Sequence, residues 1–184
     1  MQGLDFRVRV QERPGTLAVI ALHGYGIEPG TSEVAEAIAG NDVSFYAFEG
    51  IKSLGNGDLH ITSTRFDEPL CMALIMASSW VINIHGENSN RPIVFLGGRE
   101  GGALTRLRNS LTSSGFNVDI HNNPSLQGCD LANVCNRGIS AFGVQLELSK
   151  GLRRSFFESL SRVGRQTKTT HFNRFVTAVR DGIL

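Results

Sequence analysis

Apolar positions along the 184-residue chain fall into two kinds of pattern, and together they predict an alternation of strands and helices. Phe6-Arg7-Val8-Arg9-Val10 alternates apolar and polar residues, the mark of a half-buried strand. Leu17-Ala18-Val19-Ile20-Ala21-Leu22 is continuously apolar, as in a central strand covered on both faces. Beyond a polar loop, Ser32 to Ala39 reads as a short helix, with Thr31 to cap it, Glu33 suited to its N-terminal dipole and Gly40 to stop it. Ser44–Phe48 and Leu59–Thr62 are predicted strands, and Pro69–Ser79 a helix with proline in its first turn. Trp80–Ile84 and Ile93–Leu96 follow as strands. Leu104, Leu107 and Leu111 share a helical face in Arg99–Ser114, which Gly115 closes. Val118–Ile120 and Val144–Leu148 are further strands, and the last 30 residues read as mostly helical. This order predicts one three-layer α/β/α domain over residues 1–184, with a largely parallel or mixed central sheet.

Composition narrows the functional classes. The 41% hydrophobic content is that of a folded globular chain. The longest apolar stretches, Leu17–Leu22 and Leu70–Ala77, are too short to cross a bilayer, and the N-terminus lacks the apolar core of a secretory signal. No membrane role is expected, and the chain is expected in the cytoplasm as synthesised. A net charge of +1 gives no global case for nucleic acid. The charge is uneven: the last 35 residues carry eight Lys/Arg against two Asp/Glu, a basic segment beside an acidic body. Such a face could meet a polyanion or simply neutralise the body. Three irregularly spaced cysteines, Cys71, Cys129 and Cys135, do not form a disulfide framework or a zinc ribbon. Nothing calls for a second copy, and a monomer is expected.

Candidate chemistry gathers after the strands. His23 ends Ala21-Leu22-His23-Gly24 and His85 ends Asn83-Ile84-His85-Gly86. In open α/β sheets functional groups collect at the carboxyl ends of strands, so adjacent strands would bring both imidazoles to one rim. The glycine after each leaves room near the backbone. Glu28 lies five residues beyond His23, an offset that shares no helix face and requires the loop to fold back. Two histidines and one carboxylate make a familiar catalytic zinc set. Read alone, each of the three also fits an ordinary turn or helix-start role. Glu147 alternates with Val144, Leu146 and Leu148, sharing the opposite strand face with Gln145. A carboxylate there either serves as general acid/base or wets the polar face of an edge strand. Asn136-Arg137 offers an amide and a guanidinium suited to a carboxylate. Gly97–Gly102 reads as a tight turn, and His60 as a structural histidine.

Taken together, these stretches resemble the poly-γ-glutamate hydrolase family of phages and prophages. The likeness runs through Ala21–Gly24, Ile27–Glu33, Tyr46–Gly50, Leu59–Thr64, Phe66–Pro69, Ile84–Gly86, Asn133–Arg137, Gly143–Leu148 and Leu152-Arg153. The resemblance implies a fold similar to the zinc carboxypeptidases and a zinc ion on His23, Glu28 and His85. It also implies Glu147 as general acid/base, and Asn136 and Arg137 as anchors for a substrate carboxylate. Zinc carboxypeptidases space their first His and Glu by three residues, whereas here the gap is five. The implied activity is cleavage of γ-glutamyl amide bonds in an anionic polyglutamate. Two other readings stay open: a deacylase or cell-wall amidase on a small N-acyl amino acid or muropeptide, and a non-catalytic module that binds an anionic polymer.

Overall fold

The continuously apolar run from Leu17 forms the centre of the sheet, because both its faces find cover. A computed structural model describes residues 1–184. The elements are β1 (Phe6–Gln11), β2 (Leu17–Tyr25), α1 (Thr31–Ala39), β3 (Ser44–Gly50), α2 (Pro69–Ala77), β4 (Trp80–Glu87), β5 (Val94–Gly98), α3 (Gly101–Ser113), β6 (Val118–Asp119), β7 (Val144–Ser149), α4 (Lys150–Ser155) and α5 (Thr170–Ile183). The seven strands form one mixed sheet in the order β1-β3-β2-β4-β7-β5-β6. β3, β2, β4 and β7 are mutually parallel, while β1 and β5 run antiparallel to β3 and β7. The expected three-layer α/β/α architecture is present.

Alternation along the strands sorts their side chains between two cores. On one face Val19, Ala21, Ile82, Ile84, Val144 and Leu146 pack against α1, α3 and α5 in a cluster of 28 buried residues. On the other, Ala18, Ile20, Leu22 and Val81 pack against Cys71, Leu74 and Ile75 of α2 in a cluster of only 11. The second cluster stops short because that face continues as Asn83 and His85 on β4 and Gln145 and Glu147 on β7, all buried. From β2 the chain leaves through α1 toward β3, and from β4 it leaves in the opposite direction along the sheet toward β5. The connections therefore diverge at the carboxyl ends of β2 and β4 and open a crevice there.

Four sequence expectations change. Leu59–Thr62 is not a strand: residues 56–59 form a 3-10 turn and the following segment is an irregular loop. Thr31 is the first helical residue rather than the cap of α1, a position taken by Gly30 at φ 100°, which favours glycine. In the last 30 residues only α5 and the final residue of α4 are α-helical; the segment between the two helices has one 3-10 turn and a bridge from Phe157 to Lys168. β7 is an interior strand, all six residues buried, so Glu147 does not sit on a wet edge. No helix is long and apolar enough to cross a membrane.

Candidate metal centre and cleft

A β-bulge aims His23. Ala21 pairs with Ala47 and Gly24 with Glu49, so β2 spends three steps where β3 spends two. Strict alternation would turn His23 to the face of Val19 and Ala21. The extra residue instead lets it join His85 on the α2 face. The loop after β2 then folds back, as the five-residue spacing requires. The Glu28 amide donates to the His23 carbonyl at 2.7 Å, and the Thr31 hydroxyl donates to the Glu28 carbonyl at 2.9 Å.

The result is a convergence of ring nitrogens and carboxylate oxygens. His23 Nδ1 lies 3.1 Å from His85 Nδ1 and 3.2 Å from Glu28 Oε1; His85 Nδ1 lies 3.8 Å from Glu28 Oε2. Ligand atoms about 2.0–2.1 Å from a tetrahedral ion stand roughly 3.3–3.4 Å apart, so this set fits one metal ion. The outer nitrogens are held separately: His23 Nε2 is 2.8 Å from the Ile61 carbonyl, and His85 Nε2 is 3.0 Å from Ser63 Oγ. The Gly86 amide donates to Glu28 Oε2 at 2.7 Å. Burial pushes the Glu28 carboxyl up, but hydrogen bonds from His23, His60 and His85 outweigh it and hold the group well below the usual carboxylate range.

His60, read from the sequence as structural, belongs to this cluster. Its Nε2 is 3.2 Å from Glu28 Oε1, and its ring stacks on His23 with centroids 3.8 Å apart. His23, Glu28 and His60 could also hold a metal. The rings of His23 and His60 lie within 22° of parallel, however, so their in-plane lone pairs run side by side. Those of His23 and His85 are tilted by 54°, which suits convergence on one point. His60 fits better as a donor to Glu28, whose carboxylate raises its pKa against the opposing effect of burial.

The space expected beside the two glycines is filled by protein. A Cβ on Gly24 would meet Glu49 and Ser32 at 2.9 Å, and one on Gly86 would meet the Arg153 guanidinium at 2.7 Å and Glu28 at 2.9 Å. Arg153 is buried and donates to the carbonyls of Leu148, Pro29 and Glu87, clamping the Glu28 loop from behind.

Glu147 pairs in register with His85 across β7 and β4, so the two side chains are neighbours on one face. Burial pushes its carboxyl up to about 7, assisted by the charges of Glu28 and Glu87 and opposed by His85. Gln145 donates to Glu147 Oε1 at 2.9 Å, and Asn133 donates to Gln145 Oε1 at 2.9 Å. All of these groups line a cleft of about 1060 Å³, walled by residues 60, 62–65, 86–88, 124–126 and 128–130.

Asn136 and Arg137 do not line that cleft. Arg137 donates to the carbonyls of Ala132, Phe66 and Thr64. Asn136 donates to the carbonyls of Gly128 and Asp130 and accepts from the Gly143 amide. Their polar capacity is spent on backbone, so neither is free to grip a substrate carboxylate in this conformation. The segment reaches the site through Asn133 instead. The one Lys/Arg side chain on the cleft wall is Arg65. It is exposed, and nothing in its sequence context distinguishes it. Gly97–Gly102 does not reach the cleft; a Cβ on Gly97 would collide with the Gln127 carbonyl.

Known proteins share this fold. The structure is similar to that of a bacteriophage poly-gamma-glutamate hydrolase, with a TM-score of 0.94 and 28% identity, over 99% of this chain and 89% of that one. It is similar to a zinc-free form of YndL, with a TM-score of 0.89 and 34% identity over 95% and 87% of the two chains. The SPbeta prophage-derived UPF0714 protein YoqZ of Bacillus subtilis is 33% identical over 163 residues, covering 88% of this chain. The chain spans 59% of the length of YoqZ. The family model described as poly-gamma-glutamate hydrolase matches residues 1–178, and the chain belongs to that family.

Proposed function

We propose that the protein is a zinc-dependent hydrolase of γ-glutamyl amide bonds in poly-γ-glutamate. The observation that carries this reading is the convergence of His23 Nδ1, His85 Nδ1 and the Glu28 carboxylate beside Glu147 in one open cleft. Two neutral imidazoles and one carboxylate are a zinc donor set that leaves a position for substrate or water, and a relative of known structure is described as a zinc-free form. His23, Glu28 and His85 would hold the ion. Zinc, when bound, acidifies water and polarises an amide carbonyl.

The chain's own residues supply the rest. Glu147 takes the proton of the attacking water at a carboxylate oxygen and returns it to the departing amide nitrogen. A carboxyl pushed up to about 7 suits both halves of that exchange. Gln145, fixed by Asn133 and the Leu126 carbonyl, holds Oε1 of Glu147 and leaves Oε2 to work. Every γ-linked glutamate carries a free α-carboxylate, and Arg65 is the guanidinium on the wall that can receive one. A cleft of about 1060 Å³ has room for an extended polymer segment, which favours the polymer over a small N-acyl amino acid or muropeptide.

The test is metal analysis of the purified protein alongside polymer length on γ-polyglutamate, with and without chelator. About one zinc per chain and chelator-sensitive shortening are expected. Salt-sensitive polymer binding without cleavage, or a folded protein free of metal whose behaviour is unchanged by His23→Ala, would sink the reading.

A further inference from the structure

Of the three histidines in the cluster, His23 and His85 differ in what faces their outer nitrogens. His23 Nε2 meets the Ile61 carbonyl, a group that can only accept. That contact keeps a hydrogen on Nε2, so the nitrogen left to yield its hydrogen to a metal is Nδ1, which faces Glu28 and His85. His85 Nε2 instead meets two groups able either to donate or to accept: the Asn83 amide at 2.7 Å and the Ser63 hydroxyl at 3.0 Å. Asn83 is fully buried, two residues before His85 on the same strand face, and its Oδ1 has no hydrogen-bond partner.

With a metal on Nδ1, the imidazole of His85 must carry its hydrogen on Nε2 and needs an acceptor there. An amide presenting Nδ2 would set two hydrogens face to face. A half-turn about the last torsion of Asn83 replaces Nδ2 by Oδ1, and the two groups are nearly equal in size, so the rotation needs no new space. We propose that Asn83 is the positioning residue for His85: its Oδ1 accepts from Nε2–H and fixes the tautomer that directs Nδ1 at the metal. Ser63 shares that contact from the loop side. A peptide carbonyl thus presets one ligand, and a reversible side-chain amide presets the other.

This inference rests on the zinc reading above, and zinc affinity separates the two. Zinc binding by the full chain would be measured by competition with a chromogenic chelator for wild type, Asn83→Leu and Asn83→Asp. Thermal unfolding under chelator would check the fold. Loss of the acceptor in Asn83→Leu is expected to weaken binding about 10–100-fold. Asn83→Asp, an obligate acceptor, is expected to bind at least as tightly as wild type, a rescue that a packing role would not give. In zinc-loaded wild type, nitrogen-15 NMR is expected to show the His85 proton on Nε2. Folded Asn83→Leu binding zinc like wild type would overturn the inference, as would Asn83→Asp weakened as much as the leucine variant. Should the leucine variant fail to fold, the aspartate variant and the tautomer spectrum decide alone. A wild-type chain that binds no zinc would overturn the zinc reading itself, and this inference with it.

Discussion

Two buried polar regions lie on the same side of the sheet and do opposite things. In the turn from Asn133 to Arg137, the amide of Asn136 and the guanidinium of Arg137 are surrounded by backbone carbonyls and spend their hydrogen bonds on them. At the ends of β2, β4 and β7, the polar atoms of His23, Glu28, His85 and Glu147 face one another and the cleft. Both regions paid the cost of taking polar groups out of water. The first recovers it locally and braces the loops; the second leaves donor atoms converging on a common point, an arrangement that suits a bound ion. Residue type does not separate the two. The direction of the hydrogen bonds does.

The sharpest way to test that contrast is to remove a group from each region. Glu147→Gln keeps the shape of the cleft but takes away the proton carrier. It is expected to lower turnover of γ-polyglutamate about 10²–10⁴-fold, or more, while one zinc per chain is retained. Arg137→Ala should do the converse. It removes the donor to three carbonyls, of which that of Phe66 belongs to a buried residue, and is expected to cost about 1–3 kcal/mol in urea unfolding with little change in zinc affinity. If Arg137→Ala instead raised KM steeply at unchanged stability, the guanidinium would be a substrate anchor after all.

Glu147 also gives the contrast a pH dependence. Its ordinary carboxyl value is 4.5, and burial pushes it up to about 7 in the folded chain. Because the folded value is the higher one, its contribution to stability is fully present below the unfolded value and is lost as pH rises through the folded one. Under chelator, Glu147→Gln is therefore expected to be more stable than wild type at pH 8, by on the order of 3 kcal/mol, with the gain gone at pH 4. Matched urea titrations at the two pH values check it. The smallest expected effect belongs to the cleft wall. Arg65→Gln should raise KM for γ-polyglutamate about tenfold, leave kcat nearly unchanged and not alter stability, since the side chain is exposed. Equal KM values for the two proteins would remove Arg65 from substrate binding.

Much of the scaffold was legible from local pattern. The continuous run at Leu17–Leu22 and the alternation at Val144–Leu148 give β2 and β7, because covered strands leave an unmistakable apolar signature. His23, Glu28 and His85 were visible as a candidate set through their positions after strands. The misses share one cause: each depends on backbone geometry that side-chain pattern does not encode. The segment Leu59–Thr62 has strand-like residues, yet Ile61 is 42% exposed and contributes its carbonyl to His23 rather than a side chain to the core. That loop also carries His60 onto Glu28, a contact between residues 32 apart. Arg137 looked like an anchor because a guanidinium suits a carboxylate, and only the fold reveals that carbonyls already occupy it.

The bulge between Ala21 and Gly24 has a consequence for inheritance. Loss of Leu22, the residue the bulge accommodates, would leave Val19, Ile20 and Ala21 in place, since their pairing with β3 and β4 sets them. Regular alternation after Ala21 would then carry His23 to the α2 face without a bulge, with Gly24 still opposite Glu49. A lineage could thus shed a single codon and keep the imidazole on its side of the sheet, giving up one apolar side chain of the smaller core. In such a descendant, spacing counted along the chain would slip by one, while the phase of the strand would still mark where the histidine belongs.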